Sequence, residues 1–283
     1  MTKSRYAILN QIRQLDPVKD HQQIVFLVGA YESPFLIQRA LEFALFRTFA
    51  LPRTAQLLAE TGEFEQHGQK RYDDTTLLIA EFVEHGYDSE RGRAAIKRMN
   101  RLHHRFAIDN EDYLYTLSTF IFEPIRWSER FGWRPIDPKE RLAQFIFWCE
   151  VGKRMALQAI PETYAAFEQF NRAYERKHFQ ANEYSRRIGN ATINVFLSWY
   201  PRWLRPIVRP CLYALMDEPM LRAFSFPPAP RWAQAITIGA LKLRAHIIRW
   251  LPPRRQPRLY TQERSPSYPT GYEIERLGPS DVP

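Results

Sequence analysis

Apolar residues recur at three- and four-residue spacing along most of the chain, and no alternating polar–apolar run survives more than a few residues. A 3.6-residue period sets positions i, i+3, i+4 and i+7 on one face, whereas a strand needs a period of two, so the pattern confines the chain to helices. Ile37, Ala40, Leu41, Ala44 and Leu45 form one such stripe ahead of Pro52, and a second helix runs through about 54–60. A third over 71–85 puts Thr75, Leu78, Ile79 and Phe82 on one face and stops at Gly86. A fourth spans 90–106. Asp109 or Asn110 is suited to cap a fifth, which carries Leu114, Leu117, Phe120 and Ile121 up to Pro124.

The segment 126–138, with Trp127 and Trp133, reads as a loop. Asp137-Pro138-Lys139-Glu140 opens the next helix with proline in its first turn, and Pro161-Glu162-Thr163 opens another that reaches about His178. Helices over 183–199, 205–217 and 231–250 follow. After Pro252-Pro253 the chain becomes a Pro-, Arg- and Tyr-rich tail. Only 11 of the 283 residues are glycine, which suits helices better than tight hairpins. The expectation is an all-α fold of roughly nine to eleven helices. One large domain over 24–251 stands between an N-terminal extension, 1–23, and a tail, 252–283, packed on or near it.

The formal net charge is +9 and the sequence pI is about 9.6. Nucleic acid is not the expected partner of this basic chain: it has no zinc-finger spacing, no RNP-like motif and no clean basic recognition helix. Cys149 and Cys211 sit in apolar helical patterns and read as buried thiols rather than a disulfide framework. The N-terminus has no signal-peptide core, and the most apolar stretch, 24–51, is broken by Glu32, Pro34, Gln38, Arg39, Glu42 and Arg47. A cytoplasmic protein without a transmembrane helix is expected.

Two polar groupings interrupt the apolar helices. Arg71 and Thr75 lie four apart, on a helix face that continues into Leu78 and Phe82. An arginine leading into an apolar stripe needs an anion or a bound polar group; the alternative is an arginine that pairs with a nearby acid and reaches solvent. In the run from Arg98 to Phe106, His103 shares a face with Ile96, Met99 and Phe106, and His104 shares one with Lys97, Asn100 and Arg101. His103 therefore points inward and His104 toward solvent or a rim. An inward imidazole is either a core histidine bonded to a backbone carbonyl or an axial haem ligand. Arg98, Arg101 and Arg105 stand near enough to bind propionates, and equally form a solvated basic face. Tyr115, Thr116 and Thr119 are candidates to project into the same region. Phosphate loops, Gly-x-Ser-x-Gly, His-Glu-x-x-His and Cys-x-x-Cys are absent. Glu175 and His178 make one Glu-x-x-His, where a di-iron bundle needs two.

The chain resembles the oxygenase family that contains the fungal MpaB enzymes and the bacterial latex-clearing proteins, or rubber oxygenases. The matching segments are 51–62, Lys70–Arg71 to Thr75 and on to Glu84-His85-Gly86, Arg98-Met99-Asn100 to His103, 110–124, Phe131-Gly132-Trp133-Arg134-Pro135, Ile160-Pro161-Glu162-Thr163 and 267–278. The resemblance is closest to the MpaB-like branch. It implies a globin-like helical core, haem b as cofactor, and cleavage of an isoprenoid carbon–carbon double bond by molecular oxygen. It also implies His103 as the proximal iron ligand, with His104 as the fallback in a register shifted by one, and Arg71 and Thr75 at the open face of the haem. Arg98 and Arg101 join them as cofactor-binding residues. Two positions depart from the rubber oxygenases: Asp74 stands where they have lysine, and Asn100 where they have arginine. These departures bear on rubber-type cleavage more than on haem binding.

Phe82, Phe106, Leu117 and Phe120 are expected to line an apolar channel for the substrate. The last long helix carries Trp232, Ile236, Leu243 and Ile247 on one side and basic residues around them, which suits either a core-packed helix with a solvated basic face or peripheral contact with an anionic membrane. The competing class is a non-catalytic helical protein that binds haem or lipid at a membrane surface. A carrier of lipid needs neither His103 nor the Arg71–Thr75 pair.

Overall fold

The structure, a computed structural model, describes residues 4–279. Among these are fourteen α-helices, and extended pairing is limited to one isolated bridge, Ser265–Tyr268. They are α1 (Ala7–Gln14), α2 (His21–Phe26), α3 (Pro34–Thr48), α4 (Pro52–Thr61), α5 (Glu63–Gln66), α6 (Gly68–His85) and α7 (Glu90–His103) in the first half. The second half holds α8 (Asn110–Phe131), α9 (Pro138–Arg154), α10 (Tyr164–His178), α11 (Glu183–Ser198), α12 (Arg205–Tyr213), α13 (Glu218–Ala223) and α14 (Arg231–Trp250). The fold is all-α, as expected. The count exceeds the expected range through α2, α5 and α13, each six residues or fewer.

Local chemistry sets the helix ends. Ser89, Asp109, Thr163 and Asn182 each accept a backbone N–H in the first turn of α7, α8, α10 and α11. Asp137 and Glu140 form a reciprocal capping box at the start of α9. Gly86, at φ 85°, takes the chain out of α6 through a conformation that L side chains rarely adopt.

The centre is α8, which packs against α3, α9 and α10 and buries Tyr115, Ile121 and Phe122 completely. The expected stop at Pro124 and the loop over 126–138 are corrected by this helix, which runs on to Phe131. A proline inside a helix withholds one N–H, here from the carbonyl of Phe120. Gln144 of α9 donates its Nε2 to that carbonyl at 3.0 Å, so the orphan acceptor is satisfied and the helix continues.

The tail straps across α6. Tyr268 donates its hydroxyl to Asp74, and the Ser267 N–H donates to Asp73 at 2.9 Å. Tyr272 donates to Glu81 at 2.5 Å, and Tyr260 and Thr261 donate to Glu84. Lys70 links Asp74 (2.9 Å) to the carbonyl of Gly278 (2.5 Å). Cys149 is buried and Cys211 half-buried, and both are free thiols.

No single helix among the described residues is long and apolar enough to cross a membrane. The pair His21–Glu32 and Pro34–Thr48 meets length and composition together but bends by 111°. Leu36, Ala40, Phe43 and Phe46 of that pair belong to the buried core.

Candidate functional site

α4, α6, α7, α8 and α9 enclose a cavity of about 630 Å³, inside the range of roughly 300–1,000 Å³ usual for cofactor and small-molecule sites. Its walls are mainly apolar. Leu78, Ile79 and Phe82 come from α6, Met99 and Leu102 from α7, Leu117 and Phe120 from α8, and Trp148 and Val151 from α9. Phe82, Phe106, Leu117 and Phe120 all line it, as the sequence led us to expect.

His103, the last residue of α7, faces this cavity. The helix ends there rather than at 106, yet Phe106 still reaches the same wall. Burial, and then the positive charges of Arg71 and His104, lower the His103 pKa to about 4, so the imidazole is neutral and free to donate a lone pair at neutral pH. Its Nδ1 is buried without a hydrogen-bond partner. The carbonyl contact that marks a structural core histidine is therefore missing at that atom. The ring lies 5.6 Å from that of Tyr113. His104 is exposed and does not line the cavity.

Arg71 and Thr75 line the same cavity from α6. Arg71 Nη1 donates to Thr75 Oγ1 at 3.2 Å, and the guanidinium lies over the Phe64 ring at 5.9 Å. Burial lowers its pKa, opposed by Asp74 and Glu63 acting at longer range. An arginine does not give up its proton at neutral pH, so the direction of that shift reflects a cation held in an apolar wall. A neutral imidazole and a half-buried guanidinium thus share one mainly apolar chamber.

The other arginines are distributed differently. Arg98 is buried and donates its Nε to the carbonyl of Leu277 at 2.8 Å, outside the cavity lining. Arg101 is exposed and also outside the lining, while Arg105 stands on it. Asp74 turns away from the chamber, toward Lys70 and Tyr268. Thr116 reaches the cavity, whereas Tyr115 donates to Glu175 at 3.0 Å. Glu175 also takes both Nε and Nη2 of Arg47, at 2.6 and 2.8 Å, and so serves an ion-pair cluster.

Met99 lines the cavity from the face it was expected to share with His103, whereas sequence reasoning missed Tyr113 and Arg53. The spacing of Tyr113, Thr116, Leu117 and Phe120 (i, i+3, i+4, i+7) was the available signal for the first. Arg53 is set at the rim by Asp109 (3.0 Å) and Asp112 (3.2 Å). A narrower apolar pocket of about 90 Å³ adjoins the chamber, sharing Leu45, Phe49, Phe64, Thr75 and Ile79.

Among the described residues no group of three or more His, Cys, Asp or Glu side chains is placed to hold a metal ion. A haem iron brings four macrocycle nitrogens and needs only one imidazole from the protein.

Residues 34–250 match the family model described as ER-bound oxygenase mpaB/B'/Rubber oxygenase, catalytic domain. The chain is 30% identical over 243 residues to the ER-bound oxygenase mpaB' of Penicillium brevicompactum, across 79% of the chain and 57% of that relative. It is 29% identical over 213 residues to the ER-bound oxygenase mpaB of Penicillium roqueforti (strain FM164), across 69% of the chain and 72% of the relative. It is 35% identical over 134 residues to the mpaB of Penicillium brevicompactum, across 45% of the chain and 34% of the relative. The matched region thus spans little more than half of the first of these proteins.

Proposed function

The chain belongs to the family of mpaB, mpaB' and rubber oxygenase catalytic domains, and on that premise we propose that it is a haem b-dependent oxygenase acting on a carbon–carbon double bond of an apolar, isoprenoid-like small molecule. The observation that carries the reading is His103, neutral and with its buried Nδ1 unpartnered, on the same chamber as Arg71 and Thr75. A carrier of lipid alone needs neither feature.

In this reading His103 would hold the haem iron. Haem supplies the iron centre at which molecular oxygen is activated for the oxidation of the alkene. Arg71, oriented by Thr75, offers guanidinium N–H groups to an anionic oxygen in the chamber. Of the arginines near His103, Arg105 is the one on the chamber wall and is assigned to a haem propionate. Arg98 and Arg101, the other two expected to bind the cofactor, stand outside the chamber lining. Phe82, Phe106, Leu117 and Phe120 exclude water and pack against the apolar chain of the substrate, whose far end extends into the adjoining narrow pocket.

Product labelling tests this. Haem-loaded protein is incubated with short isoprenoid alkenes under isotopically heavy oxygen. Cleavage by dioxygen puts one labelled oxygen atom into each of the two carbonyl products. Haem-loaded protein that leaves every such alkene unlabelled and intact would count against the assignment.

A further inference from the structure

The largest exposed apolar feature lies away from the chamber, on α14. Trp232, Ile236, Leu243, Ile247 and Trp250 are 46–76% exposed, values far above those of a packed helix face. At 100° per residue they fall within an arc of about 60°. Ala245, on the opposite side, and Ala233, on one flank, are buried. The helix is held firmly in this orientation: Gln234 donates to the Ala229 carbonyl at 2.8 Å, Arg244 stacks over Phe35 at 4.2 Å, and Arg5 donates to the Ile248 carbonyl at 3.1 Å.

Charge identifies what can cover this stripe. Residues 219–262 contain no Asp or Glu but eight Arg and Lys. Arg231, Lys242 and Arg249 are exposed along one edge of the stripe. The turn before α12, and α12 itself, which packs on α14, add the exposed Trp203 and Ile207. A second copy of so uniformly basic a face would repel the first, whereas an anionic lipid surface matches it in both sign and apolarity. Tryptophans at the two ends of the stripe suit the headgroup boundary, where an apolar ring with a polar N–H is favoured.

We propose that α14 is a membrane-docking helix that lies flat in the headgroup region of a bilayer containing anionic lipid, with Trp232, Ile236, Leu243, Ile247 and Trp250 immersed and Arg231, Lys242 and Arg249 on the phosphates. The inference is independent of the cofactor, because no residue of the stripe touches the chamber.

The full chain is sedimented with phosphatidylcholine vesicles with and without phosphatidylserine. It is expected to pellet only with the anionic vesicles and to be released by high salt. The triple variant Ile236→Ser, Leu243→Ser, Ile247→Ser stays in the supernatant while keeping its helical circular dichroism. The variant Arg231→Gln, Lys242→Gln, Arg249→Gln binds roughly a hundredfold more weakly, each basic residue at the surface contributing about a factor of five. Wild-type protein that ignores both vesicle types overturns the proposal, as does an apolar triple variant that binds like wild type. A wild-type dimer by light scattering that becomes a monomer in the apolar variant, without vesicle binding, assigns the stripe to a second copy instead.

Discussion

The Thr75 hydroxyl accepts from Arg71 Nη1 at 3.2 Å and donates to the Arg71 carbonyl at 3.0 Å, one helical turn back. The two contacts close a small ring that fixes the guanidinium on the chamber wall. Thr75→Val removes both and leaves the arginine free to rotate. Haem content is expected to stay at the wild-type level while kcat falls about fivefold, the value of one ordinary hydrogen bond. Arg71→Ala, which removes the charge itself, is expected to lower kcat on the order of a hundredfold. If both variants turn over like wild type, the pair has no part in the reaction.

Asp74 is buried against Lys70 and the Tyr268 hydroxyl, so the position where rubber oxygenases have lysine is here a latch for the tail. Asp74→Ala strands both partners and is expected to destabilise the fold by about 1.5–3 kcal/mol, the range for charge-assisted hydrogen bonds. Limited proteolysis reads it directly, through cleavage within 252–279 that is faster than in wild type. Equal cleavage rates would show that the latch contributes nothing.

Gln144→Leu leaves the Phe120 carbonyl without a donor beside Pro124. An unsatisfied buried acceptor costs about 1–3 kcal/mol, and chemical denaturation is expected to show a loss in that range. The mild alternative Gln144→Glu, which offers no N–H when ionised, is expected to be at least as damaging at neutral pH.

Glu42, held by Tyr72 and by Arg39 at 2.5 Å, has its pKa pushed up to about 7 by burial, against the pull of Arg39 and Tyr72. The folded state therefore holds this proton more tightly than the unfolded chain, whose value is 4.5. The stabilisation this provides is complete below pH 4.5 and is lost as pH rises to about 7. Glu42→Gln removes that dependence. Relative to the variant, the wild type is expected to lose stability between about pH 5 and pH 8, by two denaturant titrations. A constant difference between the two proteins at both pH values would refute the assigned shift.

What the sequence made legible was local. Asp109, Asp137 and Thr163 cap helices through atoms one turn away, so the pattern carries its own explanation. Pro124 misled because its remedy, Gln144, lies on another helix, and no window around the proline contains it. The partners of Asp73, Asp74, Glu81 and Glu84 lie in the tail, some 180 residues later, and no local pattern around the four acids points to it. At the site, the inward face of His103 and the Arg71–Thr75 spacing were readable from periodicity. Their convergence on one chamber followed from the family resemblance and not from periodicity, because it depends on how α6 crosses α7. Arg98 shows the limit clearly: its place in the sequence beside His103 suggested a propionate, and its Nε binds the Leu277 carbonyl.

The central claim is that His103 is the haem ligand, and a hemin titration followed by absorbance tests it most directly. Wild type and His104→Ala are expected to take up one haem per chain with a strong Soret band, while His103→Ala keeps its helical content but loses stoichiometric uptake. A wild-type chain that fails to saturate with hemin, or a His103→Ala variant that binds it as wild type does, would contradict the account.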